Sequence, residues 1–182
     1  MKTLKILLIG PLKSGKSTIA NFLSEAIDYN IDNYRPTPGV RILEYEIRHN
    51  NRTTIEVELW DCSGDESFEP FWPVFSWNTQ GVVLVFNPED SKQLPEVERL
   101  YDHFVVKNMI ANNNALLIAN CKDPELKPPL PDLDGPITNL SFVNINIMQN
   151  GDELKSAFEN FVSNMTTGIV RDFELDDLGL LS

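Results

Sequence analysis

The sequence predicts a three-layer α/β fold, in which helices cover both faces of a mostly parallel six-stranded sheet with one antiparallel hairpin strand at its edge. Short aliphatic runs, typical of strands buried on both faces of a parallel sheet, alternate with segments of helical periodicity. Near the start of the chain, two segments in which apolar and polar residues alternate have the pattern of a hairpin with one solvent-exposed face. The chain has 182 residues, 42% of them hydrophobic, which is enough for one sizeable core.

The elements follow in a regular order. A buried strand over residues 4–9 is followed by a glycine-bearing loop and a helix over residues 16–27. The hairpin comprises residues 41–48 and 54–60, joined by an Asn-rich turn. Further apolar strands and helical patterns are predicted at residues 81–86, 95–109, 115–119, 140–145 and 151–165, with Asp152 as the cap of the last helix.

Two segments fall outside this alternation. Residues 123–136 contain five prolines, which exclude a regular helix because proline lacks an N–H and clashes with the preceding turn. We expect an ordered surface loop there. We divide the chain into a domain of residues 1–166 and an acidic, leucine-containing tail of residues 167–182, which is either a frayed terminus or a short docking helix.

Charge and composition exclude several classes of function. A formal charge of −12 argues against nucleic acid or an anionic membrane surface as a partner, because both require a basic surface. The two cysteines suggest no disulfide framework, so we expect a reducing, cytoplasmic compartment. No apolar run approaches the ~20 residues that span a bilayer. The last residues contain no cysteine, so we expect no lipid anchor of the prenyl kind.

The loop between the first strand and the first helix carries the strongest motif. Residues 10–17 read Gly-Pro-Leu-Lys-Ser-Gly-Lys-Ser, a spacing in which backbone N–H groups surround phosphate oxygens, Lys16 reaches the terminal phosphates and the Ser17 hydroxyl binds Mg²⁺. The alternative is an accidental turn. The candidate phosphate-binding residues are Gly10, Pro11, Leu12, Lys13, Ser14, Gly15, Lys16, Ser17, Thr18 and Gly64.

Two further segments are expected near the same phosphates. Asp61 and Gly64 end the second hairpin strand, where Asp61 can hold Mg²⁺ through water and the Gly64 N–H can meet a γ-phosphate. Thr37, in the loop before the hairpin, can complete the Mg²⁺ shell and order that loop. The candidate metal residues are therefore Ser17, Thr37 and Asp61. The alternatives are an ordinary turn after the strand and a proline-stiffened turn at Thr37.

The segment Asn120-Cys121-Lys122-Asp123 follows the fifth strand and suggests recognition of a base. Asp123 can accept hydrogen bonds from the guanine N1 and N2 groups, while Asn120 braces the loop. The alternative is an ordinary polar turn.

These four motifs, in this order, resemble those of small GTPases of the Ras superfamily over about residues 3–165. The segments Pro-Thr-Pro-Gly-Val-Arg-Ile-Leu-Glu, Glu-Leu-Trp-Asp-Cys-Ser-Gly-Asp and Phe-Trp-Pro resemble in particular the Rab-like GTPase subunits of the intraflagellar transport B complex. The resemblance implies a P-loop NTPase fold of the Ras-like G-domain type, GTP or GDP with Mg²⁺, and base contacts from Asn120, Lys122 and Asp123. It also implies a coiled-coil heterodimer of the B core as partner, bound through the switch regions, and a place in the cytoplasm, the cilium or flagellum and its base.

The sequence departs from the family at three points. Cys121 stands where the family has a lysine that packs over the guanine plane, and the lysine is displaced to Lys122. The later Ser-Ala-Lys signature has no clear counterpart in residues 142–148. We therefore expect triphosphate to be held with looser affinity and poorer discrimination against ATP. Asp65 replaces the glutamine that orients the attacking water, so we assign no catalytic residue and expect very slow hydrolysis.

Five aromatic residues crowd the segment after Gly64. We expect Phe71 or Trp72 to belong to the core and at least one other to be exposed to a partner. The remaining members of the set are Phe68, Phe75 and Trp77. Three functions remain open: a nucleotide-dependent interaction protein, a cycling vesicle-traffic GTPase, and a small-molecule P-loop kinase. Asp65 and the cysteine-free end favour the first, and the hairpin before Trp60-Asp61 disfavours the kinase.

Overall fold

The computed structural model describes residues 3–25, 36–49, 53–123 and 132–177. Parts of four predictions lie outside these residues. They are the end of the first helix at residues 26 and 27, the hairpin turn at residues 50–52, the proline-rich segment over residues 124–131, and the tail over residues 178–182.

The predicted six-stranded mixed sheet is confirmed. Its strands are β1 (Thr3–Ile9), β2 (Val40–His49), β3 (Thr53–Cys62), β4 (Gly81–Phe86), β5 (Ala115–Asn120) and β6 (Ser141–Ile145). Their order is β2-β3-β1-β4-β5-β6. The β2–β3 pair is antiparallel and every other neighbouring pair is parallel. The two hairpin strands are longer than predicted, because their pairing continues to Val40 opposite Cys62.

Within the described ranges, four α-helices accompany the sheet: α1 (Lys16–Leu23), α2 (Trp72–Ser76), α3 (Gln93–Tyr101) and α4 (Ile147–Asp177). Short 3-10 helices lie at Glu66–Phe71, Asn112–Asn114 and Gly135–Asn139. The prediction of one regular helix over residues 95–109 was wrong in detail. It begins earlier, at Gln93, and continues as a π-helix over Asp102–Val106, where the Lys107 N–H bonds the Asp102 carbonyl at 2.9 Å.

The helix predicted over residues 151–165 follows Asn150, whose φ of −139° is not helical, and this kink separates it from a first turn that begins at Ile147. Asn146 opens this first turn, since its Oδ1 accepts from the Met148 N–H at 3.0 Å, and the Asn150 Oδ1 accepts from the Asn146 N–H at 2.8 Å. These two asparagines therefore take the place predicted for Asp152. The backbone stays helical to Asp177, through the predicted domain boundary after residue 166.

The sheet divides the core into two layers, because successive side chains of a strand point to opposite faces. On β1, Leu4, Ile6 and Leu8 pack with residues of α1 and α4, whereas Leu7 and Ile9 pack with residues of α2 and α3. The predicted three-layer architecture is thus confirmed. None of the helices in the described ranges is long and apolar enough to cross a membrane.

This topology brings several loops together at one edge. β1 lies between β3 and β4 and runs parallel to both, and β5 and β6 continue in the same direction. The segments that follow β1, β3, β5 and β6 therefore meet at the carboxyl end of the sheet, where open α/β sheets bind their ligands.

Candidate nucleotide-binding site

The loop after β1 has the geometry of an anion cradle. Gly15 has a φ of +98°, and a Cβ atom there would lie 2.2 Å from Asn120 Nδ2, so glycine is required both by conformation and by space. α1 begins directly behind it at Lys16. The N–H groups of Lys16, Ser17 and Thr18 thus form the open first turn of the helix, at its positive end.

The Lys16 side chain lies inside this cradle. Its amino group donates to the carbonyl oxygens of Gly10 and Pro11, both at 2.8 Å, and the residue is buried. Burial lowers the pKa of Lys16 to about 8, although the nearby Asp61 carboxylate opposes this effect. A buried amino group at the centre of the loop is placed to meet an incoming phosphate.

The three predicted metal residues also converge. The Ser17 and Thr37 hydroxyl oxygens are 2.9 Å apart. Asp61 is completely buried, and its Oδ1 has no hydrogen-bond partner within the described part of the chain. Burial raises the pKa of Asp61, and the neighbouring Ser17 hydroxyl and the positive charges of Arg41 and Lys16 counteract that rise.

Such a set fits Mg²⁺, which prefers hard oxygen donors and takes one or two carboxylates together with substrate phosphates. In the regions that the structure describes, no three His, Cys, Asp or Glu side chains cluster as a metal site. The donors here are instead two hydroxyls and one carboxylate. A cation at this position would share its coordination with a nucleotide.

Arg41 is a component that the sequence analysis missed. It pairs with Asp61 across the β2–β3 ladder, and its guanidinium NH2 lies 3.2 Å from Asp61 Oδ2. The same nitrogen lies 3.5 Å from the Ser17 carbonyl oxygen. The contact depends on the exact register of the hairpin, in which Arg41 lies opposite Asp61.

Gly64 and Asp65 follow β3 and contact the P-loop side of the site. A Cβ on Gly64 would lie 2.6 Å from the Gly10 oxygen and 2.7 Å from the Leu12 nitrogen, so the two loops touch through backbone. The Asp65 carboxylate accepts from the Ser67 N–H at 2.9 Å and caps the following 3-10 helix. This bond lowers the pKa of Asp65.

The base-binding candidates lie on the other side of the P-loop. Asn120 is buried and its Nδ2 donates to the Ser14 carbonyl at 3.0 Å, as a brace for the loop. The Lys122 amino group donates to the Lys13 carbonyl, while Cys121 is buried and its thiol donates to the Asp123 carbonyl at 3.8 Å. A lysine thus crosses the P-loop in this chain, although it stands one position later than in the family motif.

Two further residues that the sequence analysis missed support these loops. Asn146 is buried, and its Nδ2 donates to the Asp123 carbonyl at 2.9 Å. Gln93 is buried too, and its Nε2 donates to the Leu12 carbonyl at 3.2 Å. Asn146 directly follows β6 at the ligand-binding edge, and that position was the available signal for it.

The aromatic segment after Gly64 divides as predicted between core and surface. Trp72 packs against the core, with its ring 5.0 Å from that of Phe104. Phe75 is buried, whereas Phe71 and Trp77 are 53% and 76% exposed. Together with Val74, which is 61% exposed, the last two form an apolar surface on and beside α2.

Comparison with known proteins agrees with this arrangement. Residues 5–123 match the family model described as "Ras of Complex, Roc, domain of DAPkinase". The chain is 36% identical to the intraflagellar transport protein 22 homolog of Bos taurus and 35% identical to that of Homo sapiens, in each case over 98% of both chains.

Solved structures point in the same direction. The GTP-bound crystal structure of the T. brucei IFT22/74/81 complex contains a chain with a TM-score of 0.77 and 28% identity, and the alignment covers 94% of this chain and 99% of that one. The GDP-bound T. brucei IFT22 structure has a TM-score of 0.74 and 26% identity, with 92% and 98% covered. The chain therefore has a Ras-like GTPase domain of the Roc type and belongs to the family of intraflagellar transport protein 22 homologues.

Proposed function

We propose that this chain binds GTP or GDP with Mg²⁺ and acts as a nucleotide-dependent subunit of the intraflagellar transport B complex. The main support for this proposal is that Ser17, Thr37 and Asp61, which come from three separate segments, lie close together. Thr37 lies in the loop that precedes β2, so its contact with Ser17 couples that loop to the phosphate site.

In this proposal each residue has a separate task. The P-loop residues 10–18 and Gly64 hold the phosphates, with Lys16 as the fixed positive charge. Ser17 and Thr37 bind Mg²⁺ directly and Asp61 binds it through water. Bound Mg²⁺ supplies positive charge that offsets the charge of the phosphates.

The base is held by Asn120, Lys122 and Asp123. Asp123 accepts from the guanine edge, and the Asn146 amide fixes the Asp123 backbone. Lys122 reaches the P-loop from a shifted position, and no lysine stands at residue 121. We expect triphosphate to bind more loosely, and with less discrimination against ATP, than in an ordinary Rab protein.

Hydrolysis is expected to be very slow or absent. The Asp65 carboxylate stands where the family glutamine orients water, but it is engaged with the Ser67 N–H, and its negative charge would be repelled by a γ-phosphate. We therefore regard the chain as a nucleotide-dependent interaction protein. The other two functions considered from the sequence, a cycling vesicle-traffic GTPase and a small-molecule kinase, are less well supported, because the chain belongs to the family of intraflagellar transport protein 22 homologues.

The partner is expected to be a coiled-coil heterodimer, the counterpart of the other two proteins of the trypanosome complex. The surface of Phe71, Val74 and Trp77 is suited to such a partner, because exposed aromatic residues are enriched in binding hot spots. It directly follows the segment that contacts the P-loop. The corresponding location is the cytoplasm, the cilium or flagellum and its base.

The first experiment identifies the nucleotide that copurifies with the chain, by ion-pair chromatography of the denatured protein. GTP or GDP supports the proposal, and ATP together with no binding of added GTP or GDP contradicts it. An empty site that also fails to bind added GTP or GDP in titration refutes nucleotide binding.

The second experiment measures affinity for the heterodimer. Thr37→Ala and Trp77→Ala should each weaken binding at least about tenfold, the second because a hot-spot aromatic contributes 2 kcal/mol or more. Met148→Ala is the matched control, since Met148 is also exposed but lies near the start of α4. Unchanged affinity in both variants would contradict a nucleotide-dependent switch surface.

A further inference from the structure

The Asp61 carboxylate is held in an environment that requires a positive charge. Its side chain has 0% exposure, and an ionised carboxylate without compensation is costly to bury. Lys16 contributes at longer range, since its amino group is bonded to the Gly10 and Pro11 carbonyls. Arg41 is the cation in direct contact, with NH2 at 3.2 Å from Oδ2.

The contacts of Arg41 connect three parts of the site. It stands on β2, four residues after Thr37, and it faces Asp61 on β3 in the hairpin register. The same guanidinium nitrogen lies 3.5 Å from the Ser17 carbonyl on α1. The strand that follows the Thr37 loop is therefore tied to the P-loop helix and to the metal-site carboxylate by one side chain.

The two Asp61 oxygens have different surroundings. Oδ2 is engaged by Arg41, whereas Oδ1 has no hydrogen-bond partner among the described residues. The Arg41 contact therefore occupies one of the two carboxylate oxygens. It also leaves one carboxylate oxygen for the metal's water.

We propose that Arg41 is a positioning residue that provides a built-in positive charge at the metal site, so that Asp61, the Thr37 strand and the P-loop helix stay joined when Mg²⁺ is removed. This inference rests on the proposed nucleotide binding. We therefore expect the dissociation rate of the nucleotide to depend less on Mg²⁺ in the wild type than in a variant without Arg41.

The first test measures the dissociation rate of a fluorescent GDP in Mg²⁺ and in EDTA. The quantity compared is the factor by which EDTA accelerates release. In Arg41→Gln this factor should exceed the wild-type factor by about tenfold. That fold-change corresponds to the free energy of one hydrogen bond to a charged group. Arg41→Lys, which keeps the charge, should recover part of the difference.

The control is Arg48→Gln, which removes an arginine from the same strand about 23 Å away along β2. It should leave the acceleration factor at the wild-type value. A general loss of stability would raise the dissociation rate of GDP in both buffers. Only the ratio of the rates in EDTA and in Mg²⁺ therefore reports on Arg41. An increase of threefold or more in Arg41→Gln supports the proposal, and a smaller one overturns it.

The second test needs no nucleotide. Urea unfolding of the nucleotide-free chain in EDTA is compared for wild type, Arg41→Gln, Asp61→Asn and the double variant. The double-mutant cycle should give a coupling of about tenfold in the folding equilibrium. A coupling below threefold overturns the proposal. If the chain binds no nucleotide, the proposed function fails and this cycle still decides the role of Arg41; if Asp61→Asn does not fold, the release ratio decides it.

Discussion

Replacement of Lys122 tests whether the shifted lysine supports nucleotide binding. Its amino group donates to the Lys13 carbonyl, and a Cβ on Gly15 would lie 3.6 Å from its Cε. Lys122→Met keeps most of the methylene chain and removes the charged donor. A hydrogen bond to a charged group contributes about 1.5–3 kcal/mol, which we discount to about 1 kcal/mol because the side chain is exposed to solvent. That value corresponds to about fivefold weaker binding.

The assay is a fluorescence titration with labelled GDP and GTP in excess Mg²⁺, with unlabelled ATP as competitor. Lys122→Ala should bind still more weakly than Lys122→Met, because it also removes the methylenes that cover the P-loop. Lys107→Met is the matched control for the loss of one positive charge, since Lys107 pairs with Asp102 beside the π-helix. It should leave both affinities unchanged.

The reciprocal variant distinguishes the shifted arrangement from the family's own. Cys121 has 2% exposure and its thiol donates to the Asp123 carbonyl at 3.8 Å, so the longer side chain of a lysine there would be overpacked and should destabilise the chain rather than tighten binding. The reasoning would be refuted if Lys122→Met bound as tightly as wild type, or if Cys121→Lys were stable and bound more tightly.

Three further predictions follow from single contacts. Gly64→Ala should weaken GDP binding by roughly 10- to 100-fold in titration, because its Cβ would lie 2.6 Å from the Gly10 oxygen and displace the P-loop; Gly135→Ala, where nothing lies within 4 Å of the added atom, should leave affinity unchanged. The Lys16 pKa of about 8 lies below the ordinary lysine value of 10.5, so the nucleotide-free chain should gain stability as pH rises from 8 toward 10.5. GDP affinity should fall over the same range, by up to about tenfold per pH unit, and a flat profile would contradict the assignment. In single-turnover assays Asp65→Gln should hydrolyse GTP faster than wild type, and wild-type hydrolysis at the rate of a Rab protein with its glutamine would exclude the role given to Asp65.

The fold was predictable because its signals are local. Buried parallel strands appear as short aliphatic runs, and β1, β4 and β5 are found within a residue or two of the predicted positions. The P-loop was predictable for the same reason, since Gly15, Lys16 and Ser17 are consecutive.

The elements that were mistaken depend on contacts that sequence spacing does not contain. In the π-helical turn after Tyr101, the Lys107 N–H bonds the carbonyl oxygen of Asp102, five residues earlier. The periodicity of the sequence does not show this change from the usual spacing of four residues. Asn146 and Asn150 open α4 through bonds to each other, whereas the composition favoured Asp152. Arg41 required the hairpin register, which follows only when the exact pairing of the two strands is known.

The edge position of β2 has a consequence for self-association. Edge strands offer backbone groups to which a second chain can add, and charged side chains are a common protection against this. Here Glu44 stands opposite Glu58, and Glu46 opposite Glu56, on one face of the hairpin. Like charges directly opposite one another cost some hairpin stability. The four glutamates also form an acidic ridge beside the open edge of the sheet. This negative charge repels another copy of the same strand and so favours a chain that stays monomeric at high concentration.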